Sequence, residues 1–325
     1  MSYSTLIIGL GQIGMDYDYN QDPKSKDIVL THAQAISTHI DFELQGGVDT
    51  RIRQREKFTQ KFNRPAYKNI SDAFSACDYD VVVISVPTDR HLELCKTVIS
   101  KAKPKLILLE KPLAHSSQDS LAIIELSQTT GVPIAINYFR AYEPEFVKVC
   151  TELRNGLLGF PLTAVVRYTD GMINNGSHWV QFISSFLGDV KDVELSSYTQ
   201  ATPLDFNGDV KISFINGTAY FIPFYKTEYY LFEIDVYGPL GKISIDSSGN
   251  NIKEYLAQVD PSFPNLKILG NYTTKKSPNM KQYQKFIYDE IASLLGNKEE
   301  LSCSSESLRT TVEIYSQLER QLGLK

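Results

Sequence analysis

The sequence predicts an α/β chain of two domains: a doubly wound parallel sheet over residues 1–140, then an α/β domain with an open, mainly antiparallel sheet over 141–325. Three observations carry this. Short, almost wholly apolar runs alternate with helix-like stretches up to about residue 137, as strands buried on both faces do. A glycine cluster follows the first of these runs. After Phe160-Pro161 the texture changes to alternating strands, with Asn216-Gly217 as a hairpin signal. A length of 325 residues also exceeds what one core usually supports.

The first run, Leu6 to Ile8, leads into Gly9-x-Gly11-x-x-Gly14 with Gln12 and Ile13 inside the loop. This spacing reads as a phosphate cradle: a tight turn, close backbone approach to a pyrophosphate, and close packing of the next helix, whose first N–H groups face the anion. A helix is expected directly after Gly14, yet Met15 to Leu30 is polar, rich in Asp and Tyr and broken by Pro23, so it reads as a 16-residue insertion. It could cover the cofactor, extend the substrate pocket, or be a loose surface loop. The helix pattern resumes at Thr31 with His32, Ala33, Ala35 and Ile36, and a strand from Phe42 to Val48 ends at Asp49. Asp49 lies 35 residues past Gly14; without the 16 inserted residues the distance is 19, close to the spacing of the acid that binds the adenosine ribose. A carboxylate there favours NAD over NADP, although Arg51 and Arg53 could offset its repulsion of a 2′-phosphate. The alternative for Asp49 is the start of a surface turn.

The alternation continues with strand Asp80 to Ser85, helix Asp89 to Ser100, strand Lys105 to Leu109, helix Ser117 to Thr130 and strand Pro133 to Asn137. Ligands bind at the carboxyl ends of such strands. Three ends stand out: Val86-Pro87-Thr88, Glu110-Lys111-Pro112 and Asn137-Tyr138-Phe139-Arg140. Lys111, set directly after a buried strand and fixed by Pro112, is a candidate acid/base for a hydroxyl or carbonyl; the alternative is a solvated turn lysine.

These residues, Gly9-Leu-Gly11-Gln-Ile-Gly14, Val86-Pro87-Thr88 with His91 three residues on, Glu110-Lys111-Pro112 and Asn137-Tyr138-Phe139-Arg140, resemble the glucose–fructose oxidoreductase and inositol dehydrogenase family, Gfo/Idh/MocA, over roughly the first 145 residues. The resemblance implies a Rossmann domain that binds NAD(P), with Gly9, Gly11, Gln12, Ile13, Gly14, Asp49, Arg51, Val86, Pro87, Thr88, His91, Glu110, Lys111 and Asn137 at the cofactor. It also implies an α/β domain whose sheet makes oligomer contacts, a lysine at Lys111 acting on the substrate, and a cis peptide before Pro112.

In the second half a helix over Glu143 to Gly156 precedes strands Pro161 to Thr169, Asp209 to Ile215, Thr218 to Tyr225, Leu231 to Tyr237, Lys242 to Asp246 and Ile252 to Gln258. Helices over Asn279 to Leu295 and Ser304 to Leu322 close the chain. Between the first two strands, Trp179, Phe182, Ile183, Phe186 and Leu187 share a helix face, with His178 and Gln181 off that stripe. The family pattern D-x-G-x-H falls on Asn174-Asn175-Gly176-Ser177-His178, so Asn174 stands where relatives carry an acid. An amide can position a hydroxyl but takes no proton, which leaves Lys111 and His178 as the titratable pair. Tyr138, Arg140, Arg167 and Tyr168 are substrate-binding candidates, with rim and cross-strand packing as their alternative; Arg140 and Arg167 would suit a phosphorylated substrate.

A net charge of −5 gives no basic footprint for nucleic acid, no run approaches a membrane span, and the four cysteines lie far apart with no metal-ligand spacing. The reading is a cytoplasmic homodimer or homotetramer, joined through the second sheet, without metal. It transfers hydride between NAD, or alternatively NADP, and a secondary alcohol or ketone of a sugar, cyclitol or nucleotide-linked sugar. The rival is a catalytically silent dinucleotide-binding sensor of the same fold.

Overall fold

The computed structural model describes residues 2–225, 227–296 and 301–323. Its compact units differ from a single cut at residue 140: one unit is Met1–Tyr142 with Lys281–Leu308, the other Glu143–Met280 with Arg309–Lys325.

The first unit opens with β1 (Tyr3–Ile8), α1 (His32–Thr38) and β2 (Phe42–Val48). Then come α2 (Ile52–Phe62), β3 (Ala66–Tyr67), α3 (Ile70–Ala76), β4 (Val81–Ile84), α4 (His91–Ala102), β5 (Leu106–Leu109), α5 (Ser117–Thr130) and β6 (Ile134–Ile136). All pairs in its six-stranded sheet are parallel, in the order β3-β2-β1-β4-β5-β6. The order reverses between β1 and β4, where such sheets open a crevice at their carboxyl edge. β4 and β5, VVVI and LILL, are wholly buried, as strands covered on both faces must be. α5 has the expected ends: the Ser116 side chain accepts the Asp119 N–H, and Gly131 closes the helix at φ 70°.

The second unit contains α6 (Pro144–Arg154), β7 (Leu162–Tyr168), α7 (Ser177–Leu187), β8 (Val190–Thr202), β9 (Asp205–Phe214), β10 (Gly217–Pro223), β11 (Phe232–Gly238), β12 (Gly241–Asp246), β13 (Asn251–Val259) and β14 (Lys267–Lys276). The chain then returns to the first unit with α8 (Tyr283–Leu295) before α9 (Arg309–Gln321) completes the second. The eight strands run β14-β13-β12-β11-β7-β10-β9-β8; β7 and β10 are parallel and the other pairs antiparallel. Strands β9 and β10 pair across Asn216-Gly217 as the hairpin signal implies. The sequence reading lacks β8 and β14, and both are edge strands whose residues are mostly exposed, so little burial marks them.

One face of this sheet packs on α6, α7 and α9. Trp179 stacks on Phe232 at 4.4 Å between ring centroids, and Phe182 and Phe186 extend the aromatic core. The other face is open. There Arg167 pairs with Asp235 at 2.8 Å and with Glu233 at 3.5 Å, Lys242 pairs with Asp235 at 2.8 Å, and Tyr220, Ile222 and Tyr237 are exposed. Asp235 stays buried beneath its two cations, and although burial pushes its carboxyl up, the bonds from Lys242, Ser244 and Arg167 hold it below the usual range.

Candidate functional site

The glycine loop leaves β1 through Gly9, whose φ of 99° and close approach to the Ser85 carbonyl leave no room for a Cβ. Gly11 begins a five-residue π-turn, Gln12–Asp16, in which the N–H groups of Met15 and Asp16 both donate to the Gly11 carbonyl. A Cβ on Gly11 would meet only the Arg51 guanidinium, at 3.7 Å, whereas Gly14 is buried under the Gly9 carbonyl. Beside this loop opens a cleft of about 700 Å³. Gly9, Gly11, Asp49, Arg51, Val86 and Pro87 line it as the sequence implies, joined by Lys68 and Arg90, which were not anticipated.

Asp49, expected at the adenosine ribose, is engaged within the protein. It accepts the Leu10 N–H at 3.0 Å, the Arg51 N–H at 2.8 Å, and the Arg51 guanidinium at 3.0 and 3.1 Å. Burial raises its carboxyl, but these bonds outweigh it and the group sits below its ordinary range. The Arg51 side chain remains 62% exposed at the rim.

Segment 15–30 is a docked structure and not a loose loop. Asp18, buried, accepts the N–H groups of Leu30 and Thr31 at 2.8 and 3.0 Å and the Thr31 hydroxyl at 2.6 Å. Tyr19 lies under the ammonium groups of Lys57 and Lys61, 4.4 and 5.1 Å from its ring centroid. Lys57 also pairs with Asp16, and Gln54 bridges the Leu10 carbonyl and Asp16. Thr31 caps α1 by accepting the Gln34 N–H, and His32 begins it.

At the ends of β5 and β6 a polar cluster forms. The Glu110 Oε1 accepts Asn137 Nδ2 at 2.5 Å and lies 2.9 Å from His32 Nε2, while His32 Nδ1 lies 3.0 Å from the Tyr288 hydroxyl of α8. Burial raises the Glu110 carboxyl, yet His32 and Asn137, with Lys111 alongside, bring it below the ordinary range. The Asn137 Oδ1 is buried with no protein donor. A buried amide oxygen left so, at a strand end on the edge that carries the glycine loop, fits a carboxamide-bearing ligand. Lys111, half-buried, follows Glu110 and precedes a cis peptide at Pro112, as expected. His32 and Tyr288 were missed: His32 read as one of several helix-face residues, and its partners lie 78 and 256 residues away.

His91 is another residue that the resemblance puts at the cofactor. It is fully buried, with Nδ1 3.1 and 3.2 Å from the Pro112 and Leu113 carbonyls and Nε2 3.1 Å from the Val86 carbonyl. The ring thus lies between the carbonyls of two strand ends, one of its nitrogens donating its N–H, and burial lowers its proton affinity despite those carbonyls. Thr88 opens a single 3₁₀ turn, Thr88–Arg90. Tyr138 and Arg140 are buried, Arg140 lying 4.5 Å over the Phe139 ring, which itself packs on Tyr283 at 4.4 Å.

In the second unit the candidate histidine follows another π-turn, Met172–Gly176, entered through Gly171 at φ 92°. The Asp205 carboxylate accepts the N–H groups of Ile173, Asn174 and Phe206 at 2.8, 2.9 and 2.7 Å. Asn174 is exposed at the tip of this turn. His178 and Gln181, expected off the core stripe, are buried, because α7 is covered nearly all round; His178 meets Phe232 edge-on at 5.9 Å. Tyr168 points into the core, its hydroxyl donating to the Gly208 carbonyl, and Arg167 is held in the ion pairs of the open face. Among the described residues no cluster of His, Cys, Asp and Glu could hold a metal, and no helix is long and apolar enough to cross a membrane.

Residues 3–138 match the family model described as the oxidoreductase family, NAD-binding Rossmann fold, of the Gfo/Idh/MocA group. The inositol 2-dehydrogenase of Corynebacterium glutamicum is 34% identical over 95 residues, 29% of this chain and 28% of that protein. The inositol 2-dehydrogenase of Acidothermus cellulolyticus is 27% identical over 160 residues, 49% of this chain and 42% of that one. In these matches the chain spans less than half the length of the curated relatives. The WlbA dehydrogenase of Bordetella pertussis, solved with NADH and UDP-GlcNAcA, superposes with a TM-score of 0.73 at 15% identity over 98% of both chains, and so shares the fold of both units. Over residues 3–138 the chain is therefore similar to the NAD-binding Rossmann domain of the Gfo/Idh/MocA oxidoreductase family.

Proposed function

Starting from that domain, we propose that the protein is an NAD(P)-dependent dehydrogenase moving hydride between the nicotinamide and a secondary alcohol or ketone of a sugar, cyclitol or nucleotide-linked sugar. The observation that carries it is the Glu110-Lys111-Pro112 strand end, with Glu110 held by His32 and Asn137 and the Asn137 Oδ1 left for a ligand. Asp49 and the Gly9–Gly14 loop would hold the adenosine ribose and the pyrophosphate, and Asn137 the nicotinamide end. Bound NAD supplies the hydride acceptor. Lys111 accepts the proton of the substrate hydroxyl in the oxidative direction, and His178 orients or shares that proton. Asn174 positions a substrate hydroxyl through its amide. The open sheet face, with Tyr220, Ile222 and Tyr237 exposed, is the surface we assign to self-association.

A dinucleotide-binding sensor is the second reading, favoured by Asn174 in place of an acid. Absorbance at the reduced-nicotinamide band, with NAD or NADP and a panel of polyols, sugars and nucleotide sugars, separates the two. Turnover that falls about 10³-fold in Lys111→Met while NAD affinity by calorimetry is kept supports the dehydrogenase. Tight cofactor binding without turnover across the panel supports the sensor.

A further inference from the structure

We propose that His32 is a positioning residue of the active site: its imidazole, oriented by the Tyr288 hydroxyl, holds the Glu110 carboxylate and so fixes the backbone from which Lys111 projects. This rests on the dehydrogenase reading.

The geometry gives the hydrogen bonds one direction. The Glu110 carboxylate, kept in its charged form, can only accept, so an imidazole hydrogen must face it, and the fully buried Tyr288 O–H then donates to His32 Nδ1, 3.0 Å away. Accepting there leaves the ring hydrogen on Nε2, 2.9 Å from Glu110 Oε1. The Asn137 amide donates to the same oxygen at 2.5 Å. Glu110 thus has one oxygen fixed from two directions, one residue before Lys111. Apolar side chains would fill this volume at lower desolvation cost, so a buried phenol, imidazole and carboxylate in series call for a reason beyond packing.

The inserted segment supplies the backing for the ring. Asp18 clamps the Leu30 and Thr31 amides and the Thr31 hydroxyl, and Thr31 caps the helix that His32 begins. On its other side the segment is tied to α2 through Asp16, Tyr19, Lys57 and Gln54. Segment 15–30 is therefore a strut that sets the first residue of α1.

The test uses full-length protein with NAD and the substrate panel, comparing wild type with His32→Phe, His32→Gln and Tyr288→Phe, with a thermal melt for each. The glutamine amide reaches where Nε2 lay and restores a donor to Glu110; phenylalanine does not. Expected are a loss in kcat of about 10-fold or more for His32→Phe with KM for NAD little changed, recovery of most of it by His32→Gln, and an intermediate loss for Tyr288→Phe. A His32→Gln variant no better than His32→Phe, or a lowered melting temperature with kcat unchanged, overturns the proposal. A second arm needs no turnover: ¹⁵N NMR of the cofactor-free protein should show His32 with Nε2 protonated and Nδ1 accepting. A bare Nε2 cannot donate to Glu110 and overturns the proposal. If wild type turns over nothing in the panel, the dehydrogenase reading has failed and this arm still decides the hydrogen-bond direction.

Discussion

The two π-turns among the described residues share a construction and differ in what surrounds them. Each is entered through a glycine, Gly11 or Gly171, whose carbonyl accepts two successive N–H groups, those of Met15 and Asp16 or of Asn175 and Gly176. Each has a nearby aspartate taking backbone amides, Asp49 from Leu10 and Asp205 from Ile173 and Asn174. Asp205 is aimed at its own turn and the start of its strand. Asp49 stands at the rim of a cleft and shares its carboxylate with the exposed Arg51. A carboxylate that receives the amides of a turn builds that turn; one that also carries a solvent-facing guanidinium beside a cavity can exchange that partner for a ligand.

The glycines offer the strongest way to break the parallel. Gly9→Ala drives a Cβ into the Ser85 backbone at a positive φ, and should cost about 3 kcal/mol or more together with NAD binding, read by urea unfolding and calorimetry. Gly171→Ala, also at a positive φ, drives a Cβ into the Asp205 carboxylate and should cost about 3 kcal/mol, with NAD affinity retained. Equal losses of cofactor affinity in the two would remove the distinction.

Next come the clamps. Asp205→Ala leaves three amides without their acceptor and should lower stability by about 2–3 kcal/mol while sparing NAD binding. Asp49→Ala should cost a comparable amount and also weaken NAD about 10-fold, measured by calorimetry.

The pH dependence sharpens the contrast further. Because the folded Asp49 carboxyl lies below its ordinary 3.8, its contribution is complete above that value and is lost as pH falls through the lower folded one. The difference in unfolding free energy between wild type and Asp49→Asn should be flat from about pH 7 to 5 and shrink below about 4. A difference that grows on acidification would show that Arg51 does not hold the carboxylate. The smallest effect belongs to the docked segment: Lys57→Ala, which loses Tyr19 and Asp16, should cost about 1 kcal/mol in urea unfolding.

Much of the first unit was legible because its signals are local. The glycines sit within six residues, the VVVI and LILL runs declare burial on both faces, and Ser116 and Gly131 mark the ends of α5. The cleft residues Asp49, Val86 and Pro87 followed from strand ends. What escaped is what depends on distant partners. His32 shows its role only beside Glu110 and Tyr288, and Asp205 only beside Asn174, 31 residues earlier. The surroundings of His91 were hidden for the same reason: a histidine near a strand end looks alike in sequence whatever its ring faces, and here three carbonyls lie beside it. The polar residues of α7 misled because periodicity assumes one wet face, and this helix has none.

The return of the chain to its first unit has a consequence for how the protein is made. Tyr288, the far end of the cluster at Glu110, and the α8 surface that covers Phe42 with ring centroids 5.2 Å apart, belong to a segment translated after residues 143–280 of the second unit. A ribosome that has released residues 1–142 has delivered every strand of the six-stranded sheet, yet His32 still lacks the phenol that orients it. An excised nucleotide-binding fragment ending at Tyr142 would carry the glycine loop with an uncovered apolar flank, whereas one with residues 281–308 spliced on would carry the complete unit.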